Sequence, residues 1–136
     1  MERQEQVAHH ILVVEDDAVM RDSIAELLEE EGYTVAVANG GEQGLAYLQQ
    51  SPRPSLILLD LMMPAMNGWE FHSQLQRDPS LATIPVVILS AVADFQRRRG
   101  KLDVAAILPK PVNISHLLDV ITQTLADSPE VDDAAA

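Results

Sequence analysis

Cysteine is missing from all 136 residues, so disulfides and thiolate metal sites are excluded and the chain fits a reducing compartment. Long apolar runs are missing too. The longest nearly apolar stretch, residues 84–93, is broken by Pro85 and Ser90 and falls far short of a bilayer span. The first ten residues are polar and lack the apolar core of a secretion signal. Basic residues are scarce: 9 against 21 acidic ones leave a formal charge of −12, without the positive face that displaces counterions from nucleic-acid phosphates. A cytoplasmic protein with no membrane and no direct nucleic-acid partner is expected. At 47% hydrophobic, the chain can build one domain around a single core and is too short for two ordinary ones.

Ile11-Leu12-Val13-Val14, Leu56-Ile57-Leu58-Leu59 and Pro85-Val86-Val87-Ile88-Leu89 are short continuous apolar runs rich in branched residues. Such runs are expected of strands buried on both faces of a parallel sheet. Residues 34–38 and Ala105-Ala106-Ile107-Leu108 supply two more strands. Between strands the apolar period changes. From Ala18, Met20, Ile24, Leu27 and Leu28 share a helical face, acids fill the other, and Gly32 stands where a helix stops. Residues 42–50 (Leu45, Leu48), 69–77 (Phe71, Leu75) and 114–125 (Leu117, Leu118, Ile121, Leu125) repeat that spacing, and residues 96–101 form a weaker, basic helical stretch. Strands alternating with single helices predict an α/β, doubly wound parallel sheet with helices on both faces. The order 2-1-3-4-5 is adopted as an assumption; in it, ligands bind beyond the carboxyl ends of strands one and three. The expected domain spans residues 11–126, after a polar extension at 1–10 and before a disordered acidic and alanine-rich tail at 127–136.

Each strand is followed by polar residues. Strand one ends in Glu15-Asp16-Asp17, strand three in Asp60, strand four in Ser90 and strand five in Pro109-Lys110-Pro111. All would converge on one crevice. Carboxylates from Glu15, Asp16 and Asp60 held together repel unless a cation sits among them, and an all-oxygen set without His or Cys suits a hard ion, Mg²⁺ in preference to Ca²⁺. A carboxylate nucleophile, two cationic groups and a hydroxyl donor are the parts needed to move a phosphoryl group. Asp60, at the end of the central strand, is the expected nucleophile, with Glu15 and Asp16 placed to hold the metal.

In order along the chain, Val13-Val14-Glu15-Asp16-Asp17, Leu58-Leu59-Asp60-Leu61-Met62-Met63-Pro64-Ala65-Met66-Asn67-Gly68, Val87-Ile88-Leu89-Ser90-Ala91 and Leu108-Pro109-Lys110-Pro111 resemble the motifs of response-regulator receiver domains, which are flavodoxin-like in fold. The resemblance covers about residues 11–125. It implies that Asp60 is the phosphoacceptor, that Asp16 binds Mg²⁺ directly and Glu15 mainly through water, and that the Met62 backbone carbonyl is a further ligand. It also implies that Ser90 is the switch hydroxyl, that Lys110 binds the phosphoryl group, and that the Lys110–Pro111 bond is cis. Its implied partners are a sensor histidine kinase or phosphotransfer protein, which donates from phosphohistidine, and a downstream protein. On this reading the chain is a signalling domain, not an enzyme, that sheds its phosphoryl group by slow self-hydrolysis.

The chain also departs from that pattern. Ile107 stands three residues before Lys110, where many receivers carry an aromatic switch residue, so the readout needs Ser90 or backbone motion instead. The segment from Ser90 to Lys110 is slightly short and lacks the common Gly-Ala pair. Met62 and Val92, two residues beyond Asp60 and Ser90, are apolar where relatives tune the hydrolytic water, so a long-lived phosphoryl state is expected.

Each of these residues also has a plainer reading. Asp60 alone would be a turn aspartate, Lys110 a surface lysine, and Asp17 simply a helix cap. His9, His10, His72 and His116 have no ligand spacing; Trp69 and Phe71 read as core or partly covered helix residues; Arg97-Arg98-Arg99-Lys101 reads as a solvated face before a docking patch. An Asp-nucleophile phosphatase would need a second acid where Met62 stands, and a cap domain. A non-phosphorylated pseudo-receiver or other flavodoxin-like interaction module would not need Glu15, Asp16, Asp60, Ser90 and Lys110 intact, and no Gly-rich loop follows strand one to cradle a flavin phosphate.

Overall fold

The computed structural model describes residues 9–50, 53–63, 65–90 and 104–127. The strands are β1 (His10–Val14), β2 (Thr34–Ala38), β3 (Leu56–Asp60), β4 (Val86–Ser90) and β5 (Ala106–Pro109). All four pairings are parallel and the sheet order is β2-β1-β3-β4-β5, the assumed one. The helices are α1 (Ala18–Glu30), α2 (Gly41–Gln50), α3 (Gly68–Gln76), a single turn α4 (Pro79–Ala82) and α5 (Ile114–Asp127).

Strand side chains alternate between faces, and the apolar runs sort accordingly. Leu12, Val14, Ile57, Leu59, Val86 and Ile88 meet Leu48 of α2 and Phe71 and Leu75 of α3 in one core layer. Ile11, Val13, Leu56, Leu58, Val87 and Leu89 meet Ile24 and Leu28 of α1 and Leu117, Ile121 and Leu125 of α5 in the other. β1, β3 and β4 are thus fully covered on both sides, which is why their sequences do not alternate polar and apolar. Each buried Leu or Ile in these layers contributes about 1.5–3 kcal/mol relative to exposure. Phe71 is completely buried, and Trp69 is half-covered against the same layer, as expected of helix residues.

Helix ends follow local chemistry. Asp17 caps α1 by accepting from the Met20 N–H at 3.0 Å, and Gly32, at φ 100°, takes the left-handed turn that ends it. Asn67 and Glu70 form a reciprocal capping box at α3, with both bonds at 3.0 Å.

The observed elements differ from the expected ones in small ways. The turn α4 was not foreseen; Asp78 caps it and Pro79 occupies its first turn, a start signal hidden behind the short run that follows. β5 is shifted one residue toward the site, because Ala105 is held by its N–H donating to Val86 O while the ladder runs on to Pro109. α5 includes Asp127, where the tail was expected to start. The expectations on residues 96–101, the Arg97-Arg98-Arg99-Lys101 cluster, Val92 and the segments 1–8 and 128–136 fall outside the described residues.

Candidate functional site

The carboxyl ends of β1, β3, β4 and β5 lie side by side, so the first polar residue beyond each apolar run arrives at the same edge. Glu15 follows β1, its N–H donating to Ala38 O at 3.1 Å, and it is almost wholly buried. One carboxylate oxygen, Oε2, accepts from the Asp17 N–H at 3.1 Å; the other, Oε1, is buried without a hydrogen-bond partner among the described residues. Asp60 ends β3 and is 2% exposed. Its Oδ1 accepts from the Met62 N–H at 3.3 Å and lies 2.8 Å from Lys110 Nζ. The same ammonium stands 3.7 Å from Glu15 Oε1, an ion pair too long for a hydrogen bond. Asp16 is exposed, and carboxylate oxygens of Glu15, Asp16 and Asp60 all lie within 4.8 Å of one another.

Three carboxylates thus face one ammonium, and the imbalance is written into the proton affinities. Burial pushes Glu15 up to about 7; the Asp17 N–H bond opposes this, the neighbouring Asp60 adds to it, and Lys110 opposes it only weakly. Lys110 is moved the other way by its partners: burial alone would lower it, but the hydrogen bond and charge of Asp60, then the charges of Glu15 and Asp16, raise it above its ordinary value. Lys110 therefore stays an ammonium throughout the neutral range, and Glu15 is the group left uncompensated.

A hard divalent cation matches this donor set. The ligands are all oxygen, they cluster within the reach of one ion, and Glu15 Oε1 supplies a buried acceptor that no donor among the described residues satisfies. The Met62 side chain is 56% exposed at the mouth of the site while its backbone is held by Asp60. Ser90 is fully buried at the end of β4, paired with Pro109, and its carbonyl accepts from the Lys110 N–H at 2.9 Å. The Lys110–Pro111 peptide bond is cis, as the resemblance implied. Glu15, Asp16, Asp60, Met62, Ser90 and Lys110 all sit at this one edge, whereas His10 and His72 do not; Asp17 caps α1 and steadies Glu15 through its N–H.

One supporting residue carried no assigned role in the sequence reading. A Cβ on Gly68 would stand 2.7 Å from Leu61 Cα and 2.9 Å from Asp60 O, and the Gly68 N–H donates to Leu61 O at 2.9 Å. The β3–α3 loop closes directly onto the backbone that carries Asp60, and only glycine leaves room for it. The Asn67-Gly68 pair was the available signal.

Comparison with known proteins places the chain among relatives of the same architecture. SphR of Synechococcus elongatus, an alkaline phosphatase synthesis transcriptional regulatory protein, is 40% identical over 121 residues, covering 82% of this chain and 46% of SphR. The response regulator MprA of Mycobacterium ulcerans is 36% identical over 93% of this chain and 54% of its own length, so the chain spans about half of these two relatives. Protein PilH of Pseudomonas aeruginosa is 32% identical and is covered over 97% of its length, with 85% of this chain. The signal receiver domain of a histidine kinase from Syntrophus aciditrophicus superposes with a TM-score of 0.81 at 29% identity, covering 88% of this chain and 91% of that one. CheY4 of Vibrio cholerae, a chemotaxis response regulator, superposes at 0.79 with 27% identity, covering 86% and 98%. Residues 11–122 match the response regulator receiver domain, and the chain belongs to that family, the receiver domains of two-component signalling.

Proposed function

We propose that Asp60 is the phosphoacceptor of this receiver domain, and that Lys110, Ser90 and a bound Mg²⁺ assist the transfer. The observation that carries the reading is the 2.8 Å approach of Lys110 Nζ to Asp60 Oδ1 beside the three-carboxylate cluster. An Asp60 oxygen attacks phosphorus of a phosphohistidine on a sensor kinase or phosphotransfer protein. The P–N bond breaks, its electron pair leaves with the imidazole, which takes up a proton, and an acyl phosphate remains on Asp60. Lys110, already an ammonium, meets the negative charge spread over the phosphoryl oxygens, and the Ser90 hydroxyl donates to one of them. Glu15, Asp16, Asp60 and the Met62 carbonyl would hold Mg²⁺, which when bound supplies further charge neutralisation at the transferring group.

The domain is read as residues 11–126 of a cytoplasmic chain; no described helix is long and apolar enough to cross a membrane. The charge of −12 supports a protein partner rather than DNA for the phosphorylated domain itself, although relatives such as SphR are transcriptional regulators by name. Met62, apolar and exposed at the mouth of the site, supports slow loss of the phosphoryl group by self-hydrolysis. A phosphatase reading fails for want of a second acid at that position.

The test is intact-protein mass spectrometry after incubation with Mg²⁺ and a small acyl or amide phosphodonor. One added phosphoryl group is expected in the native chain and none in Asp60→Asn or without Mg²⁺. Absence of the gain in a folded, Mg²⁺-binding chain would leave a non-phosphorylated interaction module.

A further inference from the structure

The two outer strands of the sheet are protected unequally. β5 ends in Pro109, followed by Lys110 and Pro111, and prolines interrupt any added ladder. β2, at the other edge, has β1 as its only strand neighbour among the described residues, and its sequence, Thr34-Val35-Ala36-Val37-Ala38, contains no proline and no charge. It pairs with β1 over all five positions without a bulge.

The direction of its free backbone groups follows from two bonds. The Thr34 N–H donates to His9 O at 2.9 Å, and Ala38 O accepts from Glu15 at 3.1 Å, so positions 34, 36 and 38 face β1. By alternation the N–H and C=O groups of Val35 and Val37 point away from the sheet, open to a further strand. The side chains of these two valines line a groove of about 520 Å³ against α1, with Val19, Asp22, Ser23, Ala25, Glu26 and Glu29 on the helix side. Val19 is 78% and Val37 45% exposed. An apolar rim, an open ladder and the carboxylates of Glu26 and Glu29 thus share one surface with Asp22, whose Oδ1 is already paired with Arg21 Nε at 3.2 Å.

We propose that the β2 edge is a docking site for an added strand from a partner protein, an extended segment whose groove-facing side chains combine arginine or lysine with a branched apolar residue. Ladder hydrogen bonds to Val35 and Val37 hold its backbone, an apolar side chain covers Val37 and Val19, and its cations meet Glu26 and Glu29. Charge decides against a second copy of this chain. Pairing β2 with β2 across a two-fold axis would bring two copies of Glu26 and Glu29 along one seam, with no cation among the lining residues to separate them.

The test uses the full chain, ¹⁵N-labelled, and a synthetic peptide of repeating Thr-Arg-Thr-Val at low salt, against a control of the same composition in which the alternation is scrambled. Expected are slowed exchange and shifted resonances at the Val35 and Val37 amides, with at least tenfold weaker binding by the scrambled peptide. Val37→Pro removes an outward N–H while sparing the β1 ladder, and is expected to weaken binding tenfold or more. Should that variant not fold, Glu26→Lys on the exposed face of α1 is expected to do the same. Equal binding of the scrambled peptide, a folded Val37→Pro or Glu26→Lys that binds like the native chain, or dimerisation through β2 in sedimentation would each overturn the proposal.

Discussion

The amino and carboxyl ends of the same strands are built on opposite plans. At the amino end, His10 Nε2 and the Tyr47 hydroxyl are 2.7 Å apart with the rings edge to face, and the His10 backbone exchanges bonds with Ser55 on both sides: its N–H donates to Ser55 Oγ at 3.2 Å and its carbonyl accepts from the Ser55 N–H at 2.7 Å. Neutral groups satisfy one another there. At the carboxyl end, Glu15 and Asp60 are buried with a shared ammonium and an acceptor left over. One end is closed by its own chemistry; the other keeps a buried acceptor that no donor among the described residues meets. The two plans stand at opposite ends of the 5-residue β1.

That contrast can be broken most severely at Lys110. Lys110→Met removes the cation between two buried carboxylates and the group proposed to meet the phosphoryl oxygens; the rate of phosphorylation by a small donor is expected to fall by about 10²–10³. Mass spectrometry over time reads this directly, and a rate within threefold of native would remove Lys110 from the transfer step.

A second, smaller effect concerns pH. Glu15 has its folded pKa raised above the ordinary 4.5 to about 7, so its contribution to stability is complete below pH 4.5 and is lost as pH rises through 7. The metal-free chain should therefore be weakened over that interval, by roughly 3 kcal/mol at most, relative to a Glu15→Gln chain that lacks the titration. Denaturant unfolding of both chains at several pH values between 4.5 and 7.5 measures the difference; parallel curves would mean that Glu15 is not under strain. Mg²⁺ affinity of the native chain should rise across the same interval, because binding competes with the proton.

The smallest effect lies at the closed end and has the opposite sign. Burial lowers the His10 pKa below 6.5, so its contribution is present above pH 6.5 and is lost as pH falls. Tyr47→Phe should cost about 1 kcal/mol at pH 7.5 by removing one hydrogen bond, without changing phosphorylation by the small donor. A Tyr47→Phe chain impaired in phosphorylation would show that the two ends are not independent.

How much of this could be read beforehand differs between strands and loops. Runs such as Leu56-Ile57-Leu58-Leu59 identified buried strands because parallel strands covered on both faces need no polar alternation, and the residues that end those runs had to lie at one sheet edge once the order was fixed. Hence Glu15, Asp60, Ser90 and Lys110 were legible as a set, although their assembly leaned on the family resemblance as well as on periodicity. What could not be read was contact at the scale of single atoms. That Glu15 Oε1 would be the unsatisfied oxygen depends on Asp17 taking up Oε2, and that Gly68 supports Asp60 depends on how the β3–α3 loop folds back. The one-turn α4 was lost for a different reason: four residues are too few to show a helical period, so its Asp78-Pro79 start was the only mark it left.

The ladder bond from Lys110 N–H to Ser90 O joins the strand end bearing the hydroxyl to the strand end bearing the ammonium. The spacing between the two is therefore set by the sheet ladder itself. The link is a single backbone bond of 2.9 Å. Ile107 lies opposite Ile88, two register positions before that corner, so the sheet at this point is aliphatic and the two polar ends are carried on one hydrogen-bonded edge.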